Sequence, residues 1–145
     1  VIKSNKNRSS LLLKRVSDLL KGKIKNKKIC FLGVTFKANT DDMRDSSSLT
    51  MIPYLVKKGA IVNYYDPTGE KNKFKKIKNV FFSKNIKSAI KNSDLIIIHT
   101  EWNDFKSINF NKEVSNKRFI LFDMRNIYSS TKMKDQKIRY FGVGR

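Results

Sequence analysis

Apolar positions fall along this chain in two rhythms. Near the start they recur at helical spacing, as Leu12, Leu13, Val16, Leu19 and Leu20. That spacing predicts a helix capped near Ser9 or Ser10, preceded by a polar, lysine-rich stretch over 1–7 and stopped by Gly22. The lysines around Gly22 suit the negative end of such a helix. Further on, apolar residues come in short continuous runs. Residues 29–32 and 95–98 are too short for helices and fit strands covered on both faces, as in a parallel sheet. Residues 61–65, 80–82 and 119–122 complete the predicted strand set, with 119–122 the last clear one. Between them, 47–58 reads as a helix with Leu49, Ile52, Leu55 and Val56 inward and Gly59 as its end. Pro53 is awkward there, because an interior proline costs a helix about 3 kcal/mol. Either the helix kinks at Pro53 or its regular part starts there. Residues 86–90 suggest a short helix, and the basic stretch 69–78 an exposed connection. Trp102 and Phe105 are expected to cover the sheet end and a helix face. The alternation of strands and helices predicts an α/β domain with an open, mostly parallel sheet.

Length and charge narrow this further. At 145 residues the chain suits one domain with an ample core. The formal charge of +20 invites a nucleic-acid or membrane reading. The lysines, however, are spread over every segment rather than gathered in a stripe, and arginine, the usual reader of base edges, is the minority base. The expectation is no specific nucleic acid, with loose non-specific adhesion at most. No run is long and apolar enough for a transmembrane helix, and no charged-then-apolar stretch resembles a signal peptide. A single cysteine excludes an internal disulfide and fits a reducing, cytoplasmic setting. The start at Val1 rather than a methionine suggests numbering that begins inside a longer chain.

Candidate chemistry concentrates in residues 27–48. The strand ends at Gly33, where backbone and ligand can approach closely. A polar loop follows in which Lys37 is a mobile point charge suited to phosphate and Arg44 a planar fork of donors. Asp45 or Ser46 can cap the next helix, whose N-terminus favours an anion. Strand, glycine, cationic loop and helix start form the layout of a nucleotide-phosphate site, although one glycine is not the G-x-G-x-x-G fingerprint. Arg125 follows the last clear strand, so Lys37 and Arg125 can face one crevice outside the carboxyl ends of the sheet. Asp66, at the end of the second strand, can accept from a ribose hydroxyl or simply open the Asp66-Pro67 turn, the commoner role. His99 is the only histidine, which excludes a histidine-rich metal site. Cys30 lies within a strand and reads as a small core residue.

The run FLGVTFKANTDDMRDSSSL resembles the opening of the C-terminal domain of the UDP-glucose/GDP-mannose dehydrogenase family. YYDP at 64–67, HTEW at 99–102, FDMRN at 122–126 and YFGVGR at 140–145 agree with that family in order, and together they span almost the whole chain. HTEW with DMRN points to the branch that acts on UDP-glucose rather than on amino sugars. The resemblance implies a Rossmann-like fold over 23–145 that binds the UDP of the substrate, with 1–22 as the tail of a long connecting helix through which the enzymes dimerise. It implies that Phe36, Lys37 and Arg125 contact the UDP-sugar and that Arg44 reaches NAD. Family members oxidise the sugar 6-hydroxyl twice with two NAD, through a catalytic cysteine that Cys30 does not match. Their dinucleotide fingerprint, cysteine and catalytic lysine lie in parts outside these residues, so no catalytic residue is expected in this chain and no activity from it alone. The family's usual glycine between the Asp and Arg of the fourth motif is Met124 here, a change that would strain a position with positive φ. Two other readings stay open: a dehydrogenase domain for another UDP-sugar such as UDP-N-acetylmannosamine, and a free-standing basic module for nucleotides or nucleic acid.

Overall fold

The computed structural model describes residues 2–144, with side chains from Asn7 onward. Six strands form one parallel sheet: β1 (Lys28–Leu32), β2 (Ile61–Tyr65), β3 (Val80–Phe82), β4 (Leu95–Ile98), β5 (Ile120–Asp123) and β6 (Arg139–Gly142), in the order β3-β2-β1-β4-β5-β6. This is the doubly wound order, which reverses between β1 and β4 and opens a crevice at their carboxyl ends. The strands that flank the reversal, together with β5, are the most apolar: all of 29–32, 95–98 and 120–123 are buried. That is what a sheet covered on both faces requires.

Among the described residues six α-helices cover it: α1 (Ile2–Leu19), α2 (Ser48–Lys57), α3 (Asn72–Lys75), α4 (Ile86–Ile90), α5 (Phe110–Glu113) and α6 (Ser130–Asp135). One face of the sheet packs against α1 and α2, through Leu12, Leu13 and Val16 of α1, Leu20 just beyond its end, and Met51, Ile52 and Leu55 from α2. The other face packs under Ala89 and Ile90 of α4, Trp102, Phe105 and Phe110. At about 25 cal/mol per Å2, each buried Leu, Ile or Phe contributes roughly 2 kcal/mol, so α1 is held by Leu12, Leu13 and Val16, with Leu20 just after it, rather than by helix propensity.

Several expectations are corrected. The first helix does not wait for a cap at Ser9 or Ser10 but already runs from Ile2. α2 runs through Pro53 without restarting, because the packing of Met51, Ile52 and Leu55 outweighs the lost hydrogen bond. Its N-cap is Ser47, whose side chain makes no capping bond, so neither Asp45 nor Ser46 holds that position. The 69–78 stretch is not wholly exposed, since Phe74 of α3 is buried against Tyr64, ring centroids 5.2 Å apart. A sixth strand, β6, which the pattern did not predict, lies beyond the last clear one and carries the start of the fifth sequence motif. Trp102 and Phe105, as expected, are core.

Candidate functional site

The crevice at the switch point is built from the ends of β1, β4 and β5. Gly33 ends β1 with φ +80°, and a Cβ there would lie 2.5 Å from the Thr100 Cβ. Only glycine therefore lets the β1 and β4 ends come this close. The next four carbonyls are each committed. Val34 O accepts from the hydroxyls of Ser46 and Ser48, both at 2.6 Å. Thr35 O accepts from Thr100 Oγ1 at 2.9 Å, Phe36 O from Arg125 Nη2 at 2.8 Å, and Lys37 O from Thr35 Oγ1 at 3.0 Å. The segment that carries Phe36 and Lys37 is thus fixed by side chains from the β4 end, the β5 end and α2. Both side chains point out of this frame: Phe36 is 46% exposed and Lys37 is exposed.

Arg125 reaches back across the crevice mouth. Its Nε donates to His99 O at 3.0 Å and lies 3.1 Å from Glu101 Oε2, while its Nη2 holds Phe36 O. The turn that aims it is set by Asp123, a fully buried carboxylate that accepts from Arg125 N and Tyr128 N, both at 3.1 Å, and from the Tyr140 hydroxyl at 2.8 Å. Met124 is buried in the core, and the left-handed residue of this turn is Asn126, φ 53°. The strain expected of a methionine at that position does not arise, because the positive φ falls two residues later on a residue type that tolerates it.

Arg44 stands apart. It is 88% exposed and forks onto Asp42, Nε to Oδ1 and Nη2 to Oδ2, both at 3.0 Å. That contact holds the Asp42 carboxyl below its usual range. Asp66 is buried and spent on structure: it accepts from Val34 N, Thr68 N and the Thr68 hydroxyl, so it opens the turn and steadies the β1 end. Cys30 is wholly buried, and burial pushes its thiol up, away from the reactive thiolate. Among the described residues, no group of three or more His, Cys, Asp or Glu side chains could hold a metal ion.

Sequence reasoning brought Lys37 and Arg125 to one crevice, and the resemblance added Phe36, but both missed what lies behind them: Thr100, Glu101, and the pairing of the buried His99 with the half-buried Ser47. His99, Thr100 and Glu101 were marked as polar residues of HTEW running straight on from an apolar strand, whereas Ser47 carried no such mark.

A doubly wound sheet with a glycine-ended first strand and cationic side chains at its switch point defines a nucleotide-binding α/β domain. Residues 30–130 match the UDP-glucose/GDP-mannose dehydrogenase family, UDP binding domain, and the chain belongs to that family. It is 39% identical over 147 residues to the UDP-glucose 6-dehydrogenase of Rickettsia felis, covering 99% of this chain and 33% of that protein. It is 37% identical over 142 residues to the UDP-glucose 6-dehydrogenase of Rhizobium meliloti, covering 97% and 32%. Among solved structures it resembles the UDP-D-ManNAc dehydrogenase of Pyrococcus horikoshii, with 25% identity and TM-score 0.71 over 96% of this chain and 30% of that one. The fold is also that of the NDP-N-acetyl-D-galactosaminuronic acid dehydrogenase of Methanosarcina mazei, with 22% identity and TM-score 0.77 over 96% and 29%. The chain spans about one third of the length of the curated relatives it matches.

Proposed function

We propose that this chain is the UDP-binding portion of a UDP-glucose 6-dehydrogenase, an NAD-dependent oxidoreductase that converts UDP-glucose to UDP-glucuronate for polysaccharide biosynthesis. Residues 23–145 are the UDP-sugar-binding domain. Residues 1–22 are the tail of the connecting helix, where Leu11, 69% exposed, offers an apolar contact to a second copy. The observation that carries the reading is the Arg125–Phe36 hydrogen bond, which ties the two cationic strand ends into one crevice mouth.

In this account Lys37 neutralises substrate phosphate, Arg125 orients it with the donors not spent on His99 and Phe36, and the exposed Phe36 ring borders the nucleotide. Their contribution is proximity and charge rather than bond making. Two donor atoms of the Arg44 guanidinium are engaged with Asp42 and the side chain is open to solvent, which fits a single contact to NAD from the edge rather than a cradle for it. NAD, when bound, supplies the hydride acceptor. With Cys30 buried inside β1, this chain offers no thiol nucleophile, and we expect it alone to reduce no NAD.

Calorimetric titration with UDP-glucose and with UDP, in about 0.15 M salt to screen loose charge attraction, tests the reading. Both ligands should bind saturably, and Lys37→Ala and Arg125→Ala should each weaken binding by about tenfold, the worth of one charge-assisted hydrogen bond. A folded chain that binds neither ligand overturns it.

A further inference from the structure

At the centre of the site lies a buried histidine with no assigned part in it. His99 is 1% exposed, and its two ring nitrogens face two hydroxyls: Nε2 lies 2.8 Å from Ser47 Oγ and Nδ1 lies 3.1 Å from Thr100 Oγ1. The one proton of the Thr100 hydroxyl goes to Thr35 O. Thr100 can therefore only accept from the ring, which places the imidazole proton on Nδ1. Nε2 is then the acceptor, and Ser47 donates to it. The chain of bonds runs Ser47, His99, Thr100, Thr35 in one direction, from the first residue before α2 to the loop that carries Lys37. The His99 carbonyl meanwhile holds Arg125. One residue thus touches all three arms of the site: the Phe36–Lys37 loop through Thr100, Arg125 through its own carbonyl, and the loop that carries Arg44 through Ser47.

We propose that His99 is a positioning residue for the UDP site, a neutral Nδ1–H imidazole whose bonds to Ser47 and Thr100 lock the loop between β1 and α2 against the β4 end. This rests on the UDP reading above and adds to it the residue that sets the loop. Burial first, then the charges of Arg125 and Arg8, lower the His99 pKa to about 3, so the ring stays neutral throughout the working range. A cationic ring would donate from both nitrogens and break the polarity of the chain. A neutral ring that weak is a poor general base, which is why Ser47 is read as an anchor and not as a nucleophile.

The test uses the whole chain, with Ser47→Ala and Thr100→Val to cut each end of the relay and Ser47→Thr to keep a hydroxyl. Nitrogen-15 NMR of the imidazole should show a protonated Nδ1 and a bare Nε2. Ser47→Ala should weaken UDP-glucose about three- to tenfold and speed amide exchange across 35–45 with the β-strand amides unchanged, while Ser47→Thr restores both. An Nε2–H tautomer, or wild-type affinity and exchange in Ser47→Ala, overturns the proposal. If the wild-type chain binds no UDP-glucose, the UDP reading falls, while the tautomer and the exchange of 35–45 still decide whether His99 sets the loop.

Discussion

The residues that matter here are mostly acceptors and donors already spent on one another, which leaves Lys37 as the exposed cation at the crevice mouth. His99 gives this arrangement a pH signature. Its unfolded imidazole titrates near 6.5, while the folded ring resists protonation down to about 3, chiefly because it is buried. Below 6.5 the unfolded chain therefore takes up a proton that the folded chain refuses, and stability falls as pH drops from about 6.5 towards 3; above 6.5 this contribution is complete and flat. Urea denaturation at pH 7.5, 6 and 5 should show that decline, and it should flatten in His99→Gln. A wild-type chain equally stable at all three values would contradict the buried, neutral ring. Gly33 makes a second residue-scale prediction. Its φ of +80° and the 2.5 Å approach of Thr100 leave no room for a methyl group. Gly33→Ala should cost about 3 kcal/mol or more in denaturant unfolding, from backbone strain and a forced parting of β1 and β4.

Among the elements, α2 carries a proline that its core contacts override. Pro53→Ala should stabilise the chain by about 2 kcal/mol, the helix penalty of about 3 less the roughly 1 kcal/mol of flexibility that the unfolded chain gains, as read from the urea midpoint. The strands on either side of the switch point were legible in the sequence because they are buried on both faces and so are continuously apolar. β6 was not, because Arg139 is exposed and Phe141 only half-buried, so Arg139–Gly142 alternates and ends on glycine like a turn. α3, α5 and α6 each bury one residue, Phe74, Phe110 and Met133, and a single apolar position has no period to detect. For the same reason the early start of α1 was hidden: polar residues before Leu11 carry no periodic signal. The site was half legible. Lys37 and Arg125 announced themselves as cations after strand ends, whereas HTEW marked only a polar strand end, and the bonds that join Ser47 to His99 and Thr100 to Thr35 link residues far apart in sequence, which no local pattern encodes.

On the scale of the whole molecule, a charge of +20 spread over one small domain must repel itself. Raising salt from about 0.02 M to 0.15 M should therefore raise the melting temperature by screening that repulsion; a flat or falling response would contradict it. No helix of the described residues is long and apolar enough to cross a membrane. The proposal that the crevice between the β1 and β4 ends binds UDP is tested most directly by an amide NMR titration of the chain with UDP. The account predicts saturable shifts concentrated at 33–37, 99–101 and 124–126, reduced in Lys37→Ala. Shifts scattered over the lysines at large, or centred away from the switch point, would contradict it.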